Sequence, residues 1–220
     1  MKLALIIIIS ISFLAGGIYY FTVDRSLTDK VSMPWHINVL DEHHIEVFDI
    51  TLNETTLEQG RVRFGQLDGL ALYQNLQGVF SLEAYFGKVS FGPLDARVIA
   101  NLDVSQADLK NMAEGAIKRM ITDKGNTKWT LSDDIKRLQA LRKIKSLTYI
   151  PSFGGLDADF IKQRFGDPEK KETVDETTEQ WLYPNQGVRI LLDSEGKEVF
   201  EYMVPAEFKL SYVNNSIGEK

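Results

Sequence analysis

The residues best suited to metal chemistry lie close together near the N-terminal end of the chain. They are three histidines and three acidic residues: His36, Asp41, Glu42, His43, His44 and Glu46. Histidine and carboxylate side chains bind zinc and similar ions. Because neighbouring side chains of an extended segment point to opposite faces, His43 and His44 can face one ion only within a turn. A solvated hairpin tip also explains these residues, and we predict no metal site.

The chain lacks the sequence patterns of the common catalytic sites. It has no Gly-x-Ser-x-Gly elbow, no phosphate-binding glycine-rich loop and no His-Glu-x-x-His motif. The carboxylates Asp133, Asp134, Asp157 and Asp159 fall in the first turns of predicted helices, where the helix dipole favours negative charge. There is no cysteine, and so no thiol nucleophile, disulfide or lipid-accepting residue. We therefore predict no catalytic residue and no cofactor, and that the protein is not an enzyme.

Aromatic and basic side chains are better candidates for a recognition surface. Aromatic residues on predicted strands can face either the helices or a partner protein, because alternate side chains face opposite sides of a sheet. A basic cluster at 136–145 can meet an acidic partner or anionic lipid, or it can be the solvated face of an amphipathic helix. The predicted interaction surface consists of Tyr73, Tyr85, Trp181, Tyr183, Lys136, Arg137, Arg142 and Lys143.

Composition narrows the class of protein. The 220 residues carry a net charge of −6, which argues against a nucleic-acid-binding protein, because such proteins usually have a basic face. The hydrophobic content of 44% is sufficient for a packed core.

The N-terminal segment predicts export. Residues 3–21 carry no charge and, as a helix, can cross a bilayer core of about 30 Å. Lys2 precedes them, which predicts a cytoplasmic N-terminus. A cleaved signal peptide is the alternative, because Ala15-Gly16-Gly17 supplies the small residues that signal peptidase requires. In both cases the bulk of the chain is periplasmic, and we predict a single-pass protein of the bacterial inner membrane.

Two stretches of the chain are nearly the same. Residues 78–91 and 187–200 share six identities without a gap, and Arg-Phe-Gly precedes each of them, at 63–65 and at 164–166. About one identity is expected by chance in such a window. The similarity predicts one small module used twice.

Each copy has the pattern of a short helix followed by strands. Thr56 and Asp157 are predicted helix N-caps, and strands are predicted at 70–74, 78–86 and 94–103, then at 179–183, 187–193 and 197–204.

Before the first of these helices, alternating runs at 35–40 and 45–50 predict a β-hairpin. Between the copies, apolar residues at helical spacing predict helices from Ser105 to about Ile121 and from Ser132 to about Lys145. Residues 169–179 are polar and predict a mobile loop.

These patterns give a division of the chain. The predicted regions are a transmembrane anchor (1–21), a tether (22–33), a first module (34–104), a connecting helix and loop (105–131), a second module (132–212) and a flexible tail (213–220). The predicted fold class is α+β, with two small modules in which helices pack on an antiparallel sheet (αα-βββ).

The second copy resembles a known family. A helix that ends in Arg164-Phe165-Gly166-Asp167-Pro168 is followed by an acidic loop and by Trp181-Leu182-Tyr183-Pro184. This resembles the SmpA/OmlA, or BamE-like, domain of the outer-membrane assembly machinery, which has two helices on a three-stranded antiparallel sheet. The resemblance covers residues 132–208, and the first copy is more degenerate. The chain lacks the family's lipid-accepting cysteine. A tandem pair of such units is also similar in outline to the β-lactamase inhibitory proteins.

Both resemblances imply protein recognition rather than catalysis. The predicted function is a non-catalytic scaffold or assembly factor of the cell envelope that binds another envelope protein. A periplasmic inhibitor or ligand-binding protein is the first alternative, and an exported hydrolase with paired carboxylates is the second.

Overall fold

A small antiparallel sheet comes first in the computed structural model, which describes residues 32–123, 125–154 and 156–208. Its strands are β1 Ile37–Val39, β2 Ile45–Val47 and β3 Ile50–Thr51. Ile45, Val47 and Ile50 are buried, whereas the tip of the hairpin at 40–43 is exposed. The hairpin pattern in the sequence therefore predicted β1 and β2 well.

All the other strands of the described chain belong to one large antiparallel sheet. In chain order they are β4 Gly69–Gln74, β5 Phe80–Phe91, β6 Leu94–Leu102, β7 Lys118–Ile121, β8 Thr127–Thr130, β9 Ile144–Pro151, β10 Lys170–Thr173, β11 Thr178–Tyr183, β12 Val188–Asp193 and β13 Val199–Tyr202. The order across the sheet is β10-β11-β12-β13-β9-β6-β5-β4-β8-β7. The sheet has ten strands, and β10 and β7 form its two edges.

The predicted fold of two small helix-on-sheet modules is wrong. The last strands of the two copies, β6 and β13, do not end separate sheets, because β9 pairs with both of them. Tyr149 of β9 lies opposite Val98 on one side and opposite Phe200 on the other. An unpaired strand edge tends to attract another strand, and β9 satisfies both edges at once. The segment 105–131, predicted as a connecting helix and loop, also contributes β7 and β8 to the same sheet.

The helices of the described residues are few and short. They are α1 Leu57–Phe64, α2 Gln106–Glu114, α3 Asp133–Arg137 and α4 Ala158–Phe165. Each begins where the sequence predicted, directly after Thr56, Ser105, Ser132 or Asp157, and the side chain of each of these residues accepts a main-chain N–H of the first turn.

Two of the helices are much shorter than predicted. The helix predicted to reach Ile121 ends at Glu114, and the apolar residues beyond it form the exposed strand β7. The helix predicted to reach Lys145 ends at Arg137, and Leu138 and Leu141 beyond it are exposed. In both places strand pairing further along the chain overrides the local helical pattern. The predicted mobile loop at 169–179 likewise contains the strand β10.

The repeated sequences occupy corresponding places but not identical environments. The helix and strands α1-β4-β5-β6 and α4-β11-β12-β13 have the same order, and their strands flank β9 on either side. The identical residues Leu82 and Leu191 nevertheless differ, since Leu82 is fully buried and Leu191 is half-buried. The matched segments also differ in length of strand, because residues 80–91 form the single strand β5, whereas residues 188–200 span β12, a turn and the start of β13. Phe91 and Phe200 are both buried, although the first lies in β5 and the second in β13.

The large sheet has two faces, and the main core lies on one of them. We call this side the inner face. It carries Phe91, Tyr149 and Tyr202, whose rings lie 4.5, 5.3 and 5.5 Å from the ring of Phe48 in the small sheet. The helix α1 packs on the same face through Phe64 and α4 packs there through Phe165, whose rings contact Phe86, Phe91, Tyr183 and Phe200. The Tyr202 hydroxyl donates to the Pro34 carbonyl at 2.9 Å.

The predicted membrane anchor, residues 3–21, lies outside the described residues. So do most of the tether and the whole of the predicted tail. Among the helices that are described, none has the length and apolar character needed to cross a membrane.

Candidate binding surface

The opposite side of the large sheet, which we call the outer face, carries a mixture of polar and aromatic side chains. Residues that lie directly opposite each other on paired strands share a face, as do alternate residues along one strand. The register therefore assigns to the outer face Tyr73, Glu83, Tyr85, Asn101, Thr148, Arg189 and Glu201. All of them are half-buried.

The four aromatic residues predicted for the interaction surface divide between the two faces. Tyr73 and Tyr85 lie on the outer face and are half-buried. Trp181 and Tyr183 lie on the inner face and are 1% and 4% exposed. Tyr183 donates its hydroxyl hydrogen to the Gly166 carbonyl at 3.1 Å, which ties β11 to the end of α4. The structure thus brings the first pair together and places the second pair in the core.

The strand pairing locates this division. Tyr73 lies opposite Ser81 and Tyr183 lies opposite Val188, so each tyrosine shares a face with its partner on the next strand. Matching positions of β5 and β12 face opposite sides of the sheet, as Leu82 and Leu191 also show.

The predicted basic residues are largely neutralised by nearby acids. Lys136 binds Asp133 at 2.9 Å, Arg137 binds Asp134, and Arg142 lies 3.7 Å from Asp108. The first two pairs lie within the single turn and a half of α3. Contacts of this kind between exposed side chains contribute little binding or stability.

Lys143 is an exposed residue whose main-chain carbonyl accepts the Asp103 N–H at 2.9 Å. The basic cluster is therefore a solvated part of the connection between α3 and β9 rather than part of the outer face.

A groove of about 410 Å³ lies near the middle of the outer face. Its walls include side chains from five neighbouring strands, β5, β6, β9, β13 and β12, together with Glu207 from the helical turn at 205–208. Arg189 binds Glu201 across two of these strands, with an Nε–Oε2 distance of 2.6 Å. Lys145 binds Glu207 at 3.0 Å at the end of the groove. Two of the three carboxylates in the groove are thus paired with cations.

The third carboxylate of the groove, Glu83, has no cation bound to it within the described residues. It accepts hydrogen bonds from the Ser81 hydroxyl at 3.1 Å and from the Tyr85 hydroxyl at 3.5 Å. Burial raises the pKa of Glu83, and the two hydrogen bonds oppose this effect only in part. Burial and the neighbouring hydroxyl of Tyr73 also raise the pKa of Tyr85. The groove is therefore suited to bind a polar or positively charged group.

Of the three histidines predicted to belong to a hairpin tip, His43 and His44 lie at the tip, whereas His36 lies at the other end of the hairpin, directly before β1. His44 Nδ1 lies 3.0 Å from both carboxylate oxygens of Asp41, and the hydrogen bond from His44 lowers the pKa of Asp41. His43 is exposed beside Glu42. Nowhere in the described part of the chain do three metal-binding side chains come together.

Sequence reasoning missed the charged residues of the groove. Arg189 and Glu201 lie on the adjacent strands β12 and β13, but Glu83 is far from both in the sequence and joins them only through the pairing of β5, β6, β9 and β13. The available signal was local: Glu83 lies two residues before Tyr85, so an alternating strand places both on one face.

The groove and the aromatic pair cannot be compared with a characterised site in a relative. Searches against protein families, curated proteins and solved structures give no match to this chain. The resemblance to the SmpA/OmlA domain accordingly stays a prediction from the sequence, and the three-stranded fold that it implies is not the fold of this chain.

Proposed function

We propose that this protein is a non-catalytic scaffold or assembly factor of the bacterial cell envelope that binds another envelope protein through the outer face. The observation that carries the proposal is the asymmetry of the sheet. The small sheet, α1 and α4 all pack on the inner face, through Phe48, Phe64 and Phe165. The outer face keeps half-buried tyrosines and charged residues that are not needed for those contacts.

The composition of the outer face supports protein recognition. Tyrosine and arginine are enriched at the centres of protein interfaces, because they combine a large apolar surface with a polar group. Tyr73, Tyr85 and Arg189 supply both. The pair Arg189–Glu201 lies across two strands, so its position is fixed before a partner arrives, which reduces the entropy lost on binding.

The location of the protein is proposed from the sequence. The uncharged segment 3–21 supports attachment to the inner membrane, with the described residues on the periplasmic side. The partner is then another envelope protein, and the net charge of −6 argues against a nucleic acid.

A charge substitution in the groove tests the proposal. Thr148 lies in the middle of the outer face, and Thr148→Lys puts a long charged side chain where the partner binds. Val62→Lys is the matched control, because Val62 is 86% exposed on α1. Affinity purification of the tagged chain from native membranes should recover a specific envelope protein with the unaltered chain and with Val62→Lys, but not with Thr148→Lys. Recovery of the same protein with all three chains contradicts the proposal.

The groove also favours a second candidate function, the binding of a small polar or cationic ligand. A carboxylate without a bound cation inside a pocket of this size is a common feature of ligand sites. Glu83→Gln distinguishes the two functions. It should weaken the binding of a small cation and leave the recovery of a protein partner nearly unchanged. If Glu83→Gln leaves the binding of a small cation unchanged, the ligand-binding function is contradicted.

A further inference from the structure

The two edges of the large sheet are built differently. The four residues of the edge strand β10 are all polar. Lys170 binds Glu172 at 2.5 Å, and Lys171 covers the ring of Trp181 with its Nζ atom 3.7 Å from the ring centre. Charged residues on an edge strand discourage pairing with other chains. The edge at β10 is thus protected.

The edge strand β7 has exposed apolar residues instead. Ile117, which precedes the strand, is 70% exposed, and Met120 and Ile121 are 45% and 69% exposed. Exposed apolar side chains on a strand edge are avoided unless another strand covers them, because they favour pairing with any extended segment.

The main chain of β7 also has free hydrogen-bonding groups. Thr122 donates its N–H to the Asn126 carbonyl at 2.8 Å, so the main-chain groups of Thr122 point toward β8. Main-chain groups alternate in direction along an antiparallel strand. The N–H and C=O groups of Met120 and Lys118 therefore also point toward β8. Arg119 and Ile121 therefore direct their N–H and C=O groups away from the sheet. Within the described residues, no chain segment pairs with them.

Charge decides what kind of strand can cover this edge. Residues 117–131 contain four basic residues and one acidic residue, although the whole chain has a net charge of −6. Lys118, Arg119 and Lys128 form no ion pair with the described acidic side chains; Arg119 lies over the ring of Trp129 and Lys128 over that of Tyr73. A second copy of β7 would bring two such positively charged hairpins together, and like charges on adjacent strands repel.

We propose that the β7 edge binds an acidic, extended segment of a partner protein, which adds as an eleventh strand. The Arg119 and Ile121 main-chain groups hold the segment, as in other cases of strand addition. Two adjacent acidic residues of the segment lie opposite Lys118 and Arg119, and two adjacent apolar residues lie opposite Met120 and Ile121. This site is distinct from the groove of the outer face, and the proposal does not depend on the function proposed for that groove.

The test uses the full chain in detergent and one synthetic peptide. The peptide Thr-Val-Ile-Glu-Glu-Thr, blocked at both ends, has the required order of apolar and acidic residues for an antiparallel strand. The control peptide has lysine in place of both glutamates. Amide hydrogen exchange should show new protection at Arg119 and Ile121 when the acidic peptide is added, and none with the control. Protection of β10 instead, or of neither edge, overturns the proposal.

Two proline variants test the role of the main chain. Ile121→Pro removes an N–H that points away from the sheet and leaves the β7–β8 hydrogen bonds intact. Thr173→Pro is the matched control on β10, because Val174 donates to the Thr178 carbonyl and Thr173 therefore also faces outward. Ile121→Pro should weaken peptide binding at least tenfold, whereas Thr173→Pro should leave it unchanged.

Self-association is the remaining outcome to be distinguished. If Arg119 and Ile121 become protected as the protein concentration rises, without any peptide, a second copy is the natural occupant of the edge and the proposal is wrong. The exchange measurement on the unaltered chain gives a result even if a proline variant does not fold.

Discussion

Alanine at Gly187 and at Gly78 should have very different effects on stability, although both glycines open the same repeated sequence. Both lie in the turns that lead into β12 and β5, and both have positive φ angles, 68° and 82°. Only their surroundings differ. A Cβ atom on Gly78 would have Gln74 Nε2 at 3.9 Å as its nearest neighbour. A Cβ atom on Gly187 would lie 2.3 Å from the carbonyl oxygen of Met203 and 3.1 Å from Ile45 Cδ1.

The magnitude follows from these distances. A residue with a side chain loses about 1–2 kcal/mol in the left-handed conformation, and restriction of the unfolded chain by alanine returns about 0.4–1 kcal/mol. Gly78→Ala should therefore lower the free energy of unfolding by about 1 kcal/mol. At Gly187 the overlap is with main chain, and Met203 donates its N–H to the Gly187 carbonyl at 2.9 Å, so neither segment can easily move. Overpacking adds about 1–3 kcal/mol, for a total loss of about 3 kcal/mol.

Urea unfolding of the full chain, followed by tryptophan fluorescence, measures both losses. Trp181 is 1% exposed and pairs through β11 with β12, so its emission should change when the strand beside Gly187 unfolds. Equal losses for the two variants, or a larger loss for Gly78→Ala, would refute the packing of β12 against Met203 and Ile45.

Three further predictions concern the two faces of the sheet and a helix cap. Burial raises the pKa of Glu83. The stability given by its protonated form is therefore present at low pH and is lost as the pH rises through the raised pKa. Glu83→Gln should stabilise the chain at pH 7.5 and have a smaller effect at pH 4, and urea unfolding at both pH values measures the difference. Trp181→Ala should lower the free energy of unfolding by about 3–5 kcal/mol, and Tyr73→Ala should lower it by about 1 kcal/mol or less. If thermal unfolding shows the same loss of stability for both variants, the assignment of Trp181 to the inner face and Tyr73 to the outer face is wrong. Asp157→Ala should cost about 1 kcal/mol, because its carboxylate accepts the Phe160 N–H at 2.9 Å, and an unchanged melting temperature would mean that this cap does not hold α4.

The local parts of the fold could be predicted from the sequence. The starts of all four helices, at Thr56, Ser105, Ser132 and Asp157, were predicted, because a helix start depends mainly on the residues of the first turn. Most strands of the two copies were predicted to within a few residues, since alternation of apolar and polar residues is also a local signal.

The pairing of the copies into one sheet could not be predicted in this way. It depends on β9, whose residues lie opposite β6 and β13, which are separated by about a hundred residues of the chain. The apolar residues Leu138 and Leu141 also misled the prediction, because their helical spacing suggested a buried helix face and they are 79% and 80% exposed.

The candidate surface was predicted only in part for the same reason. The sequence showed that aromatic residues lie on strands, but the face of each depends on register. Tyr73 and Tyr183 occupy matching places in the repeats, yet one lies on the outer face and the other is 4% exposed on the inner face. The ion pair Arg189–Glu201 and the carboxylate of Glu83 become neighbours only after the sheet has formed.

Site-specific photocrosslinking in living cells tests binding by the outer face most directly. A photoreactive phenylalanine derivative is placed at Tyr85 on the outer face, and at Val62, which is 86% exposed on α1, as the control. Irradiation should link the chain to one envelope protein from position 85 and not from position 62, and mass spectrometry of the product identifies the partner. No product from position 85, or the same products from both positions, would contradict a partner-binding role for this face.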